Sequence, residues 1–89
     1  MLVKLIEVFK PEGDRVHLDE IHVSPDAVTT IRREPDSTII NEAVSLGVNP
    51  HAQFSRITIM EGTIARSIVV VGSPDELRRK LNKRQVLKG

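Results

Sequence analysis

The apolar residues of this chain are mostly β-branched, and they come in short runs. Valine and isoleucine number 20 against 7 leucines, with five threonines beside them. Such side chains are stiff at χ1, lose freedom in a helix and pack well on a pleated surface. Gly and Pro fall almost entirely between the runs and cut them to strand length. A sheet-rich chain is therefore predicted before any single element is placed. Its 89 residues leave room for one domain with one core. Residues 1–83 are expected to form that single β-rich domain and residues 84–89 a basic C-terminal tail.

Residues 2–9 are apolar on both parities apart from Lys4 and Glu7, which predicts a strand partly covered on both faces. Pro11-Glu12-Gly13-Asp14 is a turn. Residues 15–23 form the second strand, with Val16 and Leu18 on one parity and Ile21 and Val23 on the other. That switch around Asp19-Glu20 predicts a bulge or bend. Ser24-Pro25-Asp26 makes the next turn, and residues 27–32 form a third strand. Residues 33–54 admit two readings. In one, Asp36-Ser37 caps a short helix over residues 37–46, with Ile39, Ile40, Ala43, Val44 and Leu46 on one face, Gly47 at C′ and Pro50 beyond. In the other, a loop carries the two isoleucines inward.

Residues 53–60 return to strand, and Glu61-Gly62 connects them tightly to residues 63–71. The end of that strand, Ile68-Val69-Val70-Val71, is apolar on both parities and so is placed centrally. Ser73-Pro74-Asp75-Glu76 carries the pattern of a capping box with Pro at N1. It opens a helix running to about Lys83, with Leu77 and Leu81 as the buried stripe. The predicted fold class is α+β: a small antiparallel β-meander of about five strands with a C-terminal helix and, on the first of the two readings of residues 33–54, a short helix in residues 37–46.

Three stretches also resemble a known pattern. Val23-Ser24-Pro25-Asp26-Ala27-Val28-Thr29-Thr30-Ile31 is similar to the strand–turn–strand unit of FlbD-like small bacterial proteins. Arg56-Ile57-Thr58-Ile59-Met60-Glu61-Gly62 resembles the hairpin that follows it. Val69-Val70-Val71-Gly72-Ser73-Pro74-Asp75-Glu76-Leu77 resembles its closing strand and helix entry. Residues 33–54 and 63–67 lengthen the pattern. The resemblance implies a strand-rich fold and regulatory association rather than catalysis.

No chemistry is concentrated anywhere in the chain. It has no cysteine, which excludes disulfides, thiolate metal sites and cysteine nucleophiles. His17, His22 and His51 show no metal-ligand spacing, and His22 has the opposite parity to His17 and Asp19. Ser24, Ser37 and Ser73 occupy turn or cap positions that explain them. There is no Gly-x-Ser-x-Gly elbow and no phosphate-binding glycine loop. No catalytic residue, metal or cofactor is assigned, and the chain is not read as an enzyme. Its apolar runs are too short to cross a bilayer. Lys4, Glu7 and Lys10 interrupt the first of them, so a cytoplasmic protein, bacterial or phage in character, is expected.

Charge is unevenly spread. Residues 1–77 carry 7 basic and 12 acidic side chains, a net of −5, whereas residues 78–89 carry six cations and no acid. Arg78, Arg79, Lys80, Lys83, Arg84 and Lys88 are thus the candidate contacts for an anion or nucleic acid. The two aromatics, Phe9 and Phe54, are both read as buried, which leaves no stacking platform for single strands. Two functions are expected from different classes. The first is a non-enzymatic interaction or regulatory module that contacts an unknown protein partner and self-associates through strand edges, a homodimer being favoured. The second is a weak nucleic-acid-binding accessory protein that uses the basic helix.

Overall fold

A computed structural model describes residues 1–82. The strands are β1 (Val3–Phe9), β2 (His17–Val23), β3 (Val28–Arg33), β4 (Phe54–Glu61) and β5 (Ile64–Val71). The helices are α1 (Ser37–Ser45) and α2 (Pro74–Leu81), and a 3-10 turn (Pro25–Ala27) joins β2 to β3. The α+β class, the C-terminal helix and the short helix after β3 are as the residues predict.

All five strands form one sheet in the order β2-β1-β5-β4-β3, with every neighbouring pair antiparallel. The meander thus closes on itself: its first and last strands pair, and its seam lies between β2 and β3. Following the directions around the sheet, β2 and β3 run the same way. Ser24-Pro25-Asp26 therefore carries the chain from one edge to the other without reversing it. In a flat sheet those edges would lie about 19 Å apart. A four-residue link spans at most about 17 Å when extended, and three of its residues are coiled into the turn. The sheet must curl to be joined so.

That curl creates two apolar clusters, one on each face, rather than the single core expected. One holds Leu5, Val23, Ile57, Ile59, Ile68, Val70, Leu77 and Leu81. The other holds Val8, Val16, Ala43, Phe54 and Val69. Central β5 feeds both, with Ile68 and Val70 pointing one way and Val69 the other. Its apolar run on both parities has that cause. The same division corrects the expected bulge in β2. The β1–β2 register runs unbroken from Val3↔Val23 to Phe9↔His17. Parity switches because Leu18 packs against the second cluster while Ile21 packs against the first. The irregularity lies instead in β3, between Val28 and Thr30.

Local chemistry closes both helices. At α1 the Asp36 carboxylate, not Ser37, accepts from the N–H groups of Thr38 and Ile39. At the other end, Gly47 N–H donates to Val44 O and Val48 N–H to Ala43 O, a Schellman pair. Ile39, Ile40 and Ala43 lie against the second cluster, but Leu46 at the C-cap is exposed. At α2, Ser73 Oγ accepts from Glu76 N–H and Glu76 reaches back to Ser73 N–H. The β4–β5 turn is Gly62-Thr63, one residue later than predicted. Gly62 has φ 63° and Thr63 does not have positive φ, as a type II′ hairpin requires. Phe54 is buried as expected, whereas Phe9, the last residue of β1, is 46 % exposed.

Candidate functional site

α2 divides its side chains by face. Leu77 and Leu81, four apart, enter the first cluster, and Arg78, Arg79 and Lys80 stand in solvent. Arg78 lies 3.6 Å from Asp75 across one helical turn, with both side chains largely exposed. Lys83, Arg84 and Lys88 lie outside the described residues, as does the tail at residues 84–89.

The helix is laid along β3. Toward its C-terminal end a shallow groove of about 260 Å³ is lined by Val28, Thr29, Thr30 and Ile31 on one side and by Arg78, Leu81 and Asn82 on the other. Toward its N-terminal end a wider depression of about 410 Å³ is lined by Arg33, His51, Gln53, Ser73, Asp75 and Glu76. Arg32 and Arg33 are both exposed. Arg33 points to the α2 side with Ile31, so it shares one side of the molecule with the α2 cations, whereas Arg32 alternates to the other face. No local pattern marks Arg33, because only the chain's return through α2 sets it beside the helix.

Nor does the sequence mark the one well-buried charge among the described residues. The Glu34 side chain, 4 % exposed, accepts two bonds from Arg56, from Nε at 2.9 Å and Nη2 at 3.2 Å. Glu34 N–H donates to Phe54 O, which fixes the carboxylate at the end of the β3–β4 ladder. Arg56 Nη1 also reaches Ser67 Oγ at 3.5 Å. A row of hydroxyls runs beside it across three strands, Thr30 to Thr58 to Ser67, with Thr30 Oγ1 donating to Thr58 Oγ1 at 2.8 Å. The two partners are 22 residues apart, so no local spacing announces them.

The histidines do not converge. His17 Nε2 lies 3.3 Å from Asp14, His22 is held on the opposite face by the regular β2 register, and His51 lines the α2 depression. Among the described residues no group of three His, Asp or Glu side chains is placed to hold a metal ion. Of the serines, Ser73 is a cap, Ser24 makes no side-chain cap bond, and buried Ser55 donates to Gly72 O at 2.7 Å. No helix among the described residues is long and apolar enough to cross a membrane.

Three carboxyls depart from their ordinary range. Asp14 is lowered by accepting from Arg15 N–H and bonding His17, and Glu42 by its bond with Lys10. Glu7 is raised, chiefly by burial, with opposing help from Arg66 and a further push from Asp19 directly across β2. A carboxyl raised on folding holds its proton more tightly in the folded state, so it weakens the fold above its folded pKa and the penalty fades as pH falls through that value. Glu7→Gln is accordingly expected to raise the urea midpoint at neutral pH, with the gain over wild type shrinking into the acid range.

The last distinctive feature is an arm. Residues 61–67, spanning the β4–β5 turn and the first half of β5, are all exposed, with Ile64 at 69 %. β1 pairs with β5 only at Val69 and Val70, so this stretch has β4 on one side and nothing paired on the other. Compared with protein-family models, curated proteins and solved structures, the chain matches none.

Proposed function

We propose that this chain is a non-enzymatic protein-interaction or regulatory module of the cytoplasm, self-associating as a homodimer and acting by contact with another protein. The β4–β5 arm carries this reading. Apolar side chains at Ile64 and Met60, with Phe9 next along β1 from the residue that pairs with Val69, are exposed beside unpaired strand backbone. Such an edge is a template for another chain. The resemblance to FlbD-like proteins points to the same class, regulatory association. Its surface depressions are open to solvent and suit contact better than enclosure of a reacting molecule.

Ile64→Asp tests the reading. Ile64 is exposed, so stability should change by less than about 0.5 kcal/mol. The self-association constant, read by sedimentation or light scattering, should weaken by about ten-fold or more as a charge enters an apolar contact. A wild-type monomer at high micromolar concentration would sink the dimer. A second reading, weak nucleic-acid binding, is favoured by the exposed Arg78, Arg79 and Lys80 with Arg33 on the same side. It requires a mobility shift at low salt that fades steeply as salt rises and disappears on charge reversal of the three helix cations.

A further inference from the structure

We propose that the groove between β3 and α2 takes an acidic, extended peptide segment, which joins the free edge of β3 as an added strand. The proposal rests on the protein-interaction reading and names the chemistry of the partner. β3 is an outermost strand of the sheet. The bond from Glu34 N–H to Phe54 O, with the register Ile31↔Ile57 and Arg33↔Ser55, shows which backbone groups face β4. Those of Arg32 and Glu34 do; the N–H and C=O groups of Ile31 and Arg33 therefore point away from the sheet. None of these has a hydrogen-bond partner among the described residues. An extended segment laid there would meet Ile31 and Val28 on the strand side and Leu81, Arg78 and Asn82 on the helix side. Main-chain pairing would hold it and the flanking side chains would select it.

Charge selects the occupant. Arg33, Arg78, Arg79 and Lys80 are exposed along this side, whereas Arg32 alternates to the other face with its partner Arg56. Against them stand Asp26 and the first-turn acids Asp75 and Glu76, of which Asp75 is engaged by Arg78. A second copy of β3 would bring Arg32 and Arg33 against their own counterparts, which like charges oppose. The other outermost strand, β2, carries exposed Asp19 and Glu20 and would repel an acidic segment. The β5 arm has a free edge but no facing helix to make a groove.

The test is amide-resolved NMR on the isotope-labelled protein. The probe is a short capped peptide alternating Glu and Val; an alternating Lys–Val peptide and a short DNA duplex are its controls. The expected result is saturable shifts confined to β3 and α2 with the Glu–Val peptide alone, and slowed exchange of the Ile31 and Arg33 amides on binding. Arg33→Gln and Arg33→Pro remove the same charge, and only the second removes the outward N–H. The Pro variant should bind about five- to ten-fold more weakly than the Gln variant. Should Arg33→Pro fail to fold, amide protection in the unaltered protein decides the question alone. Unprotected Ile31 and Arg33 amides, equal binding by both peptides, shifts mapping elsewhere, or shifts of the same residues by DNA without the peptide would each overturn the proposal. So would concentration-dependent broadening of β3 in the absence of peptide, which identifies a second copy as the occupant. If the peptide fails while Ile64→Asp still abolishes association, the interaction reading stands and only the β3 groove falls; if Ile64→Asp changes nothing either, both fall.

Discussion

Leu77→Ala is expected to destabilise the protein by about 3 kcal/mol or more, the usual range for truncating a fully buried leucine where the site cannot collapse. Leu77 is completely buried in the first cluster, among strand residues from β1, β4 and β5 and beside its helix neighbour Leu81. A domain of this length holds on the order of 5–10 kcal/mol in total, so the loss is a large share. Urea or thermal unfolding checks it, and Leu81→Ala should follow the same direction. The neighbouring glycine offers a sharper check. Gly72 has φ 129°, and a Cβ there would meet Leu77 Cδ2 at 3.2 Å. Gly72→Ala thus carries backbone strain together with a side-chain collision. In the Leu77→Ala background only the strain remains, so Gly72→Ala should cost less there than in wild type.

The second large effect is an asymmetry within the buried ion pair. Arg56→Ala strands the Glu34 carboxylate, whose side chain is 4 % exposed, and should cost about 3 kcal/mol. Glu34→Ala leaves a guanidinium whose side chain is 34 % exposed. Water can reach that group, so the expected cost is nearer 1–2 kcal/mol. Replacing both, as in Glu34→Leu with Arg56→Met, removes the uncompensated charge and should cost clearly less than the two alanine variants summed. Equal losses in the two single variants would show that the pair is not the anchor its geometry implies. The anchor matters beyond stability, because Glu34 ends the strand whose outer edge carries Ile31 and Arg33.

Features governed by neighbours in the chain were legible in the residues alone. The β-branched runs gave five strands, Ser73-Pro74-Asp75-Glu76 opened α2, and Asp36 with Gly47 bounded α1, because caps and turns are satisfied within a few residues. The candidate cations of α2 could be named in the same way, and Arg78, Arg79 and Lys80 are exposed.

What the chain could not announce depends on residues far apart. Pairing of β1 with β5 closes the meander and sets the seam at β2 and β3, and loop closure over that distance leaves no local mark. The parity switch in β2 resembles a bulge because alternation alone cannot tell an inserted residue from a strand covered on different faces along its length. Phe9 reads as buried because an apolar residue at a strand end looks the same whether or not the fold covers it. The sequence by itself determined the elements, their caps and the basic helix. Only the tertiary structure joined Glu34 to Arg56, brought Arg33 to the same side as Arg78, and left the outer edge of β3 free. Those contacts arise when the sheet curls and α2 returns across it, and that is a property of the whole chain's packing rather than of any one segment.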